Sequence, residues 1–436
     1  MSSTPAAPVR PPGADAAIAP LTAEAVAAVQ RRTRGVLMAG QVLAGLGMGA
    51  TLSIGAILAA EISGSPAFSG MAATSVTLGA ALAAIPLARL ARRAGRAPAL
   101  ATGALAAAAG AVVAMLAAGL SSFPLLLLGI LLIGSGTAVN LQSRFAAADL
   151  AAPATRGRDL SLVVWATTVG AVSGPNLIGP GESLGAALGL PDLSGPFLFT
   201  VVAQSFAAVL YLVGLRPDPL RLAEAWRAEQ RLQEERDGGA EAVVAAVEHR
   251  PSIRLAVLSI ALSHATMVSV MAMTPVHLTA HGASLVIVGF TISLHIAGMY
   301  ALSPVFGILA DRLGRRPTIL VGQGMLIASL LMTGLGAESE GWVVAGLIVL
   351  GLGWSAGTVA GSALLTDAAA PDRRPIVQGR SDLVMSASGA VGGALAGVVL
   401  AVAGYSGLSF ATMALVATVI VALALTPRRP AVDSTV

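Results

Sequence analysis

The sequence contains no cysteine and no lysine, and it is poor in charged and aromatic residues. The absence of cysteine excludes a disulfide framework and a thiolate metal site. Charged residues make up 11% of the chain, hydrophobic residues make up 56%, and the mean hydropathy is +0.82. Soluble domains contain roughly 25% charged residues. The composition therefore excludes a soluble enzyme and predicts a membrane protein.

Long apolar runs, separated by short polar intervals, occupy most of the chain. A span of the bilayer needs about 20 apolar residues, so the 436 residues accommodate twelve spans with short loops. This pattern predicts an all-α membrane protein with twelve transmembrane helices. The runs fall at 36–60, 70–91, 98–119, 123–146, 160–178, 196–214, 253–276, 285–309, 317–336, 341–366, 381–404 and 407–426.

The arginines all lie on one side of this predicted topology. With the N-terminus placed in the cytoplasm, all 26 arginines fall in cytoplasmic segments, and the six outward loops contain none. Membrane proteins keep their basic residues on the cytoplasmic side. We therefore expect a multi-pass protein of a bacterial-type plasma (inner) membrane with cytoplasmic N- and C-termini. The sequence pI of about 10.5 reflects this topology and does not indicate a nucleic-acid partner.

The polar intervals predict the domain organisation. Residues 1–30 lack the basic region and unbroken apolar core of a signal peptide. We interpret residues 1–34 as a disordered cytoplasmic arm, with a short helix at 21–32 as the alternative for its last part. The charged, helix-prone interval 215–252 is interpreted as a cytoplasmic central loop. It separates an N-terminal six-helix half, 35–214, from a C-terminal six-helix half, 253–427. Residues 428–436 are expected to form a cytoplasmic tail.

Matched loops indicate that the two halves are related. The loop after span 2 reads AGRAP over residues 94–98, and the loop after span 8 reads LGRRP over residues 313–317, an offset of 219 residues. Arg158 and Arg380, just before spans 5 and 11, are offset by 222 residues. This organisation is expected of two parallel repeats about an axis along the membrane normal.

One loop motif is intact in the second half, where residues 307–316 read GILADRLGRR. It resembles the loop signature of the major facilitator superfamily, and with the span count and loop positions this resemblance covers essentially the whole chain. The resemblance implies a secondary transporter with the major facilitator fold that works by alternating access. The motif residues are Gly307, Asp311, Arg312, Gly314, Arg315 and Arg316.

The resemblance implies that this motif is a latch on the cytoplasmic gate. Gly307 permits close helix packing, and Gly314 permits a turn. Asp311 can face the positive N-terminal end of a neighbouring helix, and the resemblance implies that this helix is span 5, near Arg158. The alternative, in which the basic residues only set the topology, stays open.

The first-half copy of the motif is degraded. Arg92 stands at the aspartate position, and Ala88 stands at the first glycine position. We therefore do not expect a symmetric latch in the first half.

The fifth span contains a second element, formed by Gly170, Gly174, Pro175 and Gly179. It resembles the G-x-x-x-G-P-x-x-G-G element of proton-coupled drug exporters, with Ile178 in place of one glycine. Small residues let helices approach, and proline bends a helix. The element favours export of small organic or drug-like compounds, whereas ordinary helix packing explains the same glycines.

Ionisable residues inside the predicted spans are few. Asp149, Asp367 and Asp382 fall at the cytoplasmic ends of spans, so a buried carboxylate relay is not expected. His264 in span 7 and His295 in span 8 lie near the middle of the membrane. Residues of this kind are functional candidates, and a histidine titrates near neutral pH. Either histidine is therefore a candidate proton site.

Methionines accompany both histidines. Met267 and Met271 in span 7, and His295 and Met299 in span 8, are each spaced i, i+4 and share a helix face. At about 1.5 Å per residue, Met267 and His295 lie at matched depth. Thioether and imidazole ligands suit Cu(I). The pattern predicts a copper site with His264 beside it, and the alternative is packing of methionine in the core.

The same paired elements resemble those of the CcoA-type copper importers, a branch of the superfamily. This resemblance implies copper uptake, with copper as the transported substrate and no cofactor. Riboflavin transporters are relatives of that branch, so riboflavin-type vitamin uptake stays open beside proton-coupled export. The gating motif and the short loops argue against a non-transporting receptor. The predicted partners are the lipid bilayer and a small solute or metal ion, with protons as the candidate coupling ion.

Overall fold

The part of the chain described by the computed structural model, residues 22–64, 70–173, 177–236, 248–283 and 285–427, is built of fourteen α-helices. The helices are α1 (Ala23–Ser63), α2 (Gly70–Ala94), α3 (Arg96–Gly119), α4 (Phe123–Ala146), α5 (Arg156–Ser173), α6 (Ile178–Ala187), α7 (Gly195–Gly214), α8 (Pro219–Arg236), α9 (Arg250–Ala280), α10 (Leu285–Tyr300), α11 (Ser303–Arg312), α12 (Arg315–Leu335), α13 (Glu340–Ala368) and α14 (Arg374–Leu425).

These helices form twelve spans in two sets of six, as predicted. In the first set, α1 to α4 are spans 1 to 4, α5 and α6 together form span 5, and α7 is span 6. In the second set, α9, α12 and α13 are spans 7, 9 and 10, α10 and α11 form span 8, and α14 contains spans 11 and 12. By length and composition alone, nine helices of the described part could cross a membrane. That number omits α1 and the interrupted span 5, and it counts the 52 residues of α14 once.

Proline and glycine mark two breaks inside the second half. α11 begins with Pro304 in its first turn, where the missing amide leaves no intrahelical hydrogen bond unmade. The same ring inside a continuous helix would clash with the preceding turn, so α10 ends before it. α14 is interrupted at Gly404, whose φ of 69° lies in the left-handed region that glycine adopts readily. This break separates span 11 from span 12.

The arginine-bearing loops gather at one end of the bundle, which we call the basic end. It comprises the α2–α3, α4–α5, α11–α12 and α13–α14 loops together with α8. Side chains link these segments, since Arg315 at the start of α12 donates to the Pro153 carbonyl oxygen of the α4–α5 loop at 2.9 Å. The start of α1 lies at the same end, where Arg32 donates to the Arg216 carbonyl oxygen before α8 at 3.1 Å. The two halves also pack against each other, with α2 along α14 and α5 along α10 and α11.

The prediction of a disordered arm over residues 1–34 is wrong for residues 23–34, which form the start of α1, in agreement with the alternative of a short helix at 21–32. Gln30 Nε2 and Arg34 Nη1 donate to the Asp159 carboxylate of α5 at 2.9 and 2.8 Å. These bonds hold the first turns of α1 on the bundle. The Pro/Ala-rich composition of the arm does not show this partner, which is distant in the chain.

The central interval contains α8, and each of its ends is bound to a different half. Before α8, Asp218 Oδ2 accepts a hydrogen bond from the Ala97 amide of α3 at 2.8 Å. After α8, Glu248 forms an ion pair with Arg373 at the start of α14. The interval therefore begins on the first half and ends on the second.

The other predicted domain boundaries differ from the helix bounds by a few residues. α9 begins at Arg250, so the last residues of the predicted loop 215–252 belong to span 7. Residues 1–21 of the arm, residues 237–247 of the loop and the tail 428–436 lie outside the described residues.

Within the first half, glycines allow neighbouring helices to approach backbone to backbone. A Cβ atom at Gly110 of α3 would lie 2.6 Å from the Gly129 carbonyl oxygen of α4, and one at Gly129 would lie 2.7 Å from the Ala114 amide nitrogen. Gly134 of α4 meets the backbone of α2 as closely. Small residues at such contacts are how membrane helices gain packing energy without a hydrophobic driving force.

Candidate functional site

The motif at residues 307–316 lies at the basic end, against the start of α5. Asp311 accepts hydrogen bonds from the backbone amides of Gly157 and Arg158 at 2.9 and 2.8 Å. Amides at a helix N-terminus have no partner within the helix and carry partial positive charge, so a carboxylate is stabilised there. The structure thus places Asp311 on the helix that the sequence motif indicates.

A second carboxylate, Asp367 at the end of α13, connects this motif to both halves. It accepts a hydrogen bond from Arg315 Nε at 3.0 Å and pairs with Arg156 of the first half. Arg315 also donates to Asp311 at 2.5 Å. The sequence alone does not indicate this role of Asp367, because its partner Arg156 is 211 residues away in the chain and no local pattern shows the pair.

The remaining motif residues shape the approach of the helices. A Cβ atom at Gly307 would lie 2.5 Å from the Gly157 carbonyl oxygen, so only glycine lets α11 pack this closely on α5. Gly314 has a φ of 99° and forms the turn into α12. Arg316 donates to the carbonyl oxygens that follow α14, at 2.8 and 2.6 Å, and Arg312 is exposed.

The first half keeps the arginine of the motif although the rest of its copy is degraded. Arg96 lies 219 residues before Arg315 and is fully buried. It donates to both carboxylate oxygens of Asp149, at 2.7 and 3.1 Å, and to Gln378 Oε1 of α14 at 2.7 Å. Bidentate pairing of this kind is strong and directional. Each half therefore contributes one arginine that crosses to the other half, with different partners.

A buried ion pair joins the halves deeper in the bundle. Arg144 Nη2 of α4 donates to Asp382 Oδ1 of α14 at 2.6 Å, and the two side chains are 3% and 0% exposed. Arg144 Nε and Asp382 Oδ2 have no hydrogen-bond partner. Desolvation of such a pair costs much of what the attraction contributes. Ionisable groups placed at that cost inside a membrane bundle are functional candidates.

Asp382 lies deeper in its helix than the predicted start of span 11 indicates. The predicted span began at residue 381, whereas α14 begins at Arg374, so Asp382 lies about 12 Å inside the helix. Arg380 made the preceding turns too polar to count as part of an apolar run. Pro375 in the first turn starts the helix earlier, because its ring is preorganised for that position.

An aromatic cluster lies near this ion pair. Trp354 Nε1 of α13 donates to His264 Nδ1 of α9 at 3.0 Å, and Tyr300 of α10 stands edge-on to the indole at 5.8 Å and 85°. An indole only donates, so His264 is neutral and carries its proton on Nε2. Arg144 lies within Coulombic range of both His264 and Tyr300. We call Arg144, His264, Tyr300, Trp354 and Asp382 the central site.

Amide and hydroxyl groups of the first half continue the polar surroundings of Arg144. Gln41 of α1 donates to the Asn140 carbonyl oxygen at 3.2 Å and to Thr167 Oγ1 of α5 at 3.4 Å. The Asn140 side chain also reaches Thr167 Oγ1 at 3.4 Å. Asn140 precedes Arg144 by four residues and so shares its face of α4.

The predicted copper ligands are only partly brought together. Met267, Met271 and Met299 pack in one apolar cluster of the second half. His295 is fully buried and its Nδ1 lies 2.8 Å from the Leu347 carbonyl oxygen of α13. A carbonyl only accepts, so Nδ1 carries the proton and Nε2 keeps its lone pair. His295 Nε2 is buried and has no hydrogen-bond partner.

A metal site in this region would depend on soft ligands. Among the described residues, no group of three His, Asp or Glu side chains could hold a metal ion. His264 bonds to Trp354 and belongs to the central site. The sulfur atoms of the methionine cluster and His295 Nε2 are therefore the groups that a Cu(I) site would use.

The element of the fifth span is described only in part. Gly170 packs on the backbone of α1, where an added Cβ atom would lie 2.5 Å from the Val42 carbonyl oxygen. Gly179 has no neighbour within 4 Å of such an atom. Gly174 and Pro175 lie outside the described residues. Helix packing accounts for Gly170, and the prediction of export stays a prediction.

Sequence comparisons match the chain over most of its length. A family model described as Major Facilitator Superfamily matches residues 37–294 and 256–436. The chain is 37% identical over 380 residues to the uncharacterized MFS-type transporter YdeG of Bacillus subtilis (strain 168), covering 87% of this chain and 88% of that relative. It is 29% identical over 405 residues to the riboflavin transporter RfnT of Brucella anthropi, covering 92% and 96%.

Solved structures share the fold. The human organic anion transporter MFSD10 (TETRAN) matches with a TM-score of 0.72 at 17% identity, over 90% of this chain and 99% of that chain. A bacterial homologue of the iron transporter ferroportin in the outward-facing state matches with a TM-score of 0.67 at 17% identity, over 90% and 98%. Identities this low show the fold alone. The two structural matches confirm the predicted fold of two six-helix repeats.

Breaking the central ion pair from either side should destabilise the protein. We expect Arg144→Gln or Asp382→Asn to cost about 3–5 kcal/mol, because each leaves the opposite charge buried and unpaired. Thermal unfolding of the purified protein in detergent measures this loss.

The double variant Arg144→Gln with Asp382→Asn is the decisive control for this prediction. It should be more stable than either single variant, since no buried charge is then left alone. Arg158→Gln, at a side chain 47% exposed, should change stability little. Additive losses in the double variant would contradict a coupled pair.

Proposed function

The chain belongs to the major facilitator superfamily and is a membrane transporter, and we propose that it takes up a flat, polar organic solute of the riboflavin type. Transport would proceed by alternating access, as the two halves rock around the central site. One observation carries the proposal: the Trp354–His264 hydrogen bond with Tyr300 edge-on to the indole, placed beside Arg144 and Asp382.

The central site provides what a flat heteroaromatic solute needs. Trp354 and Tyr300 offer ring faces and edges for stacking. Arg144 and Asp382 each have an unpartnered atom that can bond to the carbonyl oxygens, ring nitrogens or hydroxyls of such a solute. Small-molecule sites are commonly apolar and aromatic with a few convergent polar groups.

The relationship to a riboflavin transporter supports this class of substrate. RfnT carries that function in its name and aligns over 92% of this chain and 96% of its own length. The resemblance covers both halves and thus every helix that contributes to the central site.

The arginine distribution supports placing the basic end in the cytoplasm of a bacterial-type cell, with both termini on that side. Asp311, Asp367 and Arg96 hold the halves together at this end. A transporter closed at its cytoplasmic end receives solute from the outside. This conformation is therefore the one in which an importer would load its substrate.

Proton coupling is proposed at the central ion pair. Protonation of Asp382 would remove the charge that holds Arg144, and the contact between α4 and α14 would weaken. His264 is a second proton acceptor, because a proton on Nδ1 would break its bond from Trp354. Both groups lie where the halves meet, so either protonation would act on the equilibrium between the two conformations.

The Asp311 carboxylate is proposed to act as the latch of the cytoplasmic gate. It bonds the start of α5 in the first half while pairing with Arg315 in the second. Loss of its charge would remove both interactions at once and favour opening of the basic end.

Uptake of riboflavin tests the main proposal. Cells that require riboflavin and express the chain should accumulate radiolabelled riboflavin. Trp354→Leu should lower the rate at least about tenfold, equal to about 1.4 kcal/mol of lost interaction. Trp354→Phe should keep part of the rate, since it keeps a ring.

Trp342 provides a matched control on the same helix, because it is 55% exposed. Trp342→Leu should transport at the unchanged rate. Absence of uptake by the unaltered chain would contradict the proposed substrate class. Net outward movement of organic compounds in the same cells would instead support the export interpretation of the fifth span.

Copper uptake is the second candidate, and one observation favours it. His295 Nε2 is buried and unpartnered, in the same half as the cluster of Met267, Met271 and Met299. An imidazole lone pair and thioethers are suitable ligands for Cu(I).

Cellular copper content separates the two candidates. If copper is the substrate, His295→Leu and Met267→Leu should each abolish the copper accumulation that depends on the chain. Met115→Leu, a half-buried methionine in the first half, should leave accumulation unchanged. Equal copper in cells with and without the chain would exclude this candidate.

The latch can be tested by cysteine labelling, because the chain has no cysteine of its own. Val164 is buried with Leu160 and Val359 where the halves meet. In Val164→Cys, labelling by a membrane-permeant maleimide should be slow. Adding Asp311→Asn should increase the labelling rate about threefold to tenfold, as the basic end opens more often.

Glu338→Gln is the matched control, since it removes an exposed carboxylate from the opposite end of the bundle. It should not change the labelling of the Val164→Cys protein. If Asp311→Asn also leaves the rate unchanged, Asp311 is not a latch and its motif only sets the topology.

A further inference from the structure

Two arginines at the basic end have no acidic partner within the described residues. Arg227 lies on α8 and Arg374 begins α14. Arg227 Nη2 and Arg374 Nε are buried atoms without a hydrogen-bond partner. Burial lowers the pKa of Arg227 from its ordinary value. Unpaired buried N–H groups of a charged side chain are costly, so their presence needs an explanation.

These arginines lie close to a third. Arg374 is within Coulombic range of Arg156 and Arg227, and Arg227 is within Coulombic range of Arg156. Arg156 is buried, and its Nε atom also lacks a hydrogen-bond partner. Three guanidinium groups therefore each keep an unused donor in one small region.

The carboxylates nearby do not balance this charge. Asp149 forms its bidentate pair with Arg96, and Asp367 is shared by Arg156 and Arg315. Glu224 of α8, which acts on Arg227, pairs with Arg221. Asp311 is engaged by Arg315 and by the start of α5. Both Arg227 and Arg374 are thus left over after the ion pairs have formed.

Backbone geometry adds to the positive potential. α14 begins at Arg374, so the N-terminal end of this helix lies at the cluster. The free amides at a helix N-terminus attract anions. The first amides of α5 are already bonded to Asp311, so α5 contributes only the Arg156 side chain. α5, α8 and α14 belong to the first half, the central interval and the second half. The cluster is therefore assembled from all three parts of the chain.

We propose that Arg156, Arg227 and Arg374 form a binding site for a phosphate group at the basic end, distinct from the central site. The planar guanidinium group matches the geometry of oxyanions and forms paired hydrogen bonds with them. The phosphate comes either from the headgroup of an anionic lipid or from a soluble phosphate compound. Because the site spans both halves, the bound anion stabilises the conformation that is closed at the basic end.

Thermal unfolding of the purified full chain in detergent tests the site with inorganic phosphate as the probe. Phosphate should raise the melting temperature in a saturable manner, relative to sodium chloride at equal ionic strength. The double variant Arg227→Gln with Arg374→Gln should bind phosphate at least about tenfold more weakly. Arg92→Gln removes an exposed arginine at the same end and should bind as the unaltered chain does.

Reconstitution into lipid nanodiscs distinguishes the two sources of phosphate. If a lipid headgroup is the ligand, phosphatidylglycerol should stabilise the unaltered chain over phosphatidylcholine, and the double variant should lose this difference. If the ligand is soluble, added phosphate should stabilise the chain equally in both lipids. Either result supports the site.

Two results would overturn the proposal. One is an equal response of the unaltered chain and the double variant to phosphate and to both lipids. The other is phosphate binding that appears only when Glu234, Glu235, Asp237 and Glu241 are changed to Gln. That result would mean that acidic side chains of the unaltered chain occupy the site in place of phosphate. These measurements do not involve the transported solute, so they stand whether or not riboflavin is the substrate.

Discussion

The contact between the two halves depends on carboxylates that each satisfy more than one hydrogen-bond donor. Asp311 bonds two amides of α5 and also Arg315, and Asp367 bonds Arg315 and Arg156. One missing charge would leave several donors without a partner. Water can satisfy the same donors when the halves separate, so the net energy of each bond is modest. Polar contacts of this kind suit a protein that must open and close repeatedly.

The two halves keep the same arginine and differ in what it binds. Arg315 reaches a carboxylate beside its own helix start, whereas Arg96 reaches Asp149 and then Gln378 across the interface. Both arginines cross the interface to a neutral acceptor, since Arg315 donates to the Pro153 carbonyl oxygen and Arg96 to Gln378. The first-half copy has Arg92 in place of the aspartate, so it lacks the carboxylate that Asp311 provides at the start of α5. The structure therefore does not contain two equal latches.

The spans and the position of Asp311 could be predicted because hydropathy and a contiguous motif carry that information locally. The Arg144–Asp382 pair could not, since its members are 238 residues apart and an arginine at 380 hid the early start of α14. The i, i+4 spacing correctly grouped Met267 with Met271. The spacing did not predict the orientation of the His295 ring, because its Nδ1 atom bonds the Leu347 carbonyl oxygen of α13.

The central interval is anchored at Asp218 on the first half and at Glu248 on the second. Each anchor is a single polar contact, a hydrogen bond at Asp218 and an ion pair at Glu248. The connection between the halves is therefore held at its two ends by contacts that water can replace. The resistance to opening comes from the charged contacts of the basic end and can be adjusted there one side chain at a time.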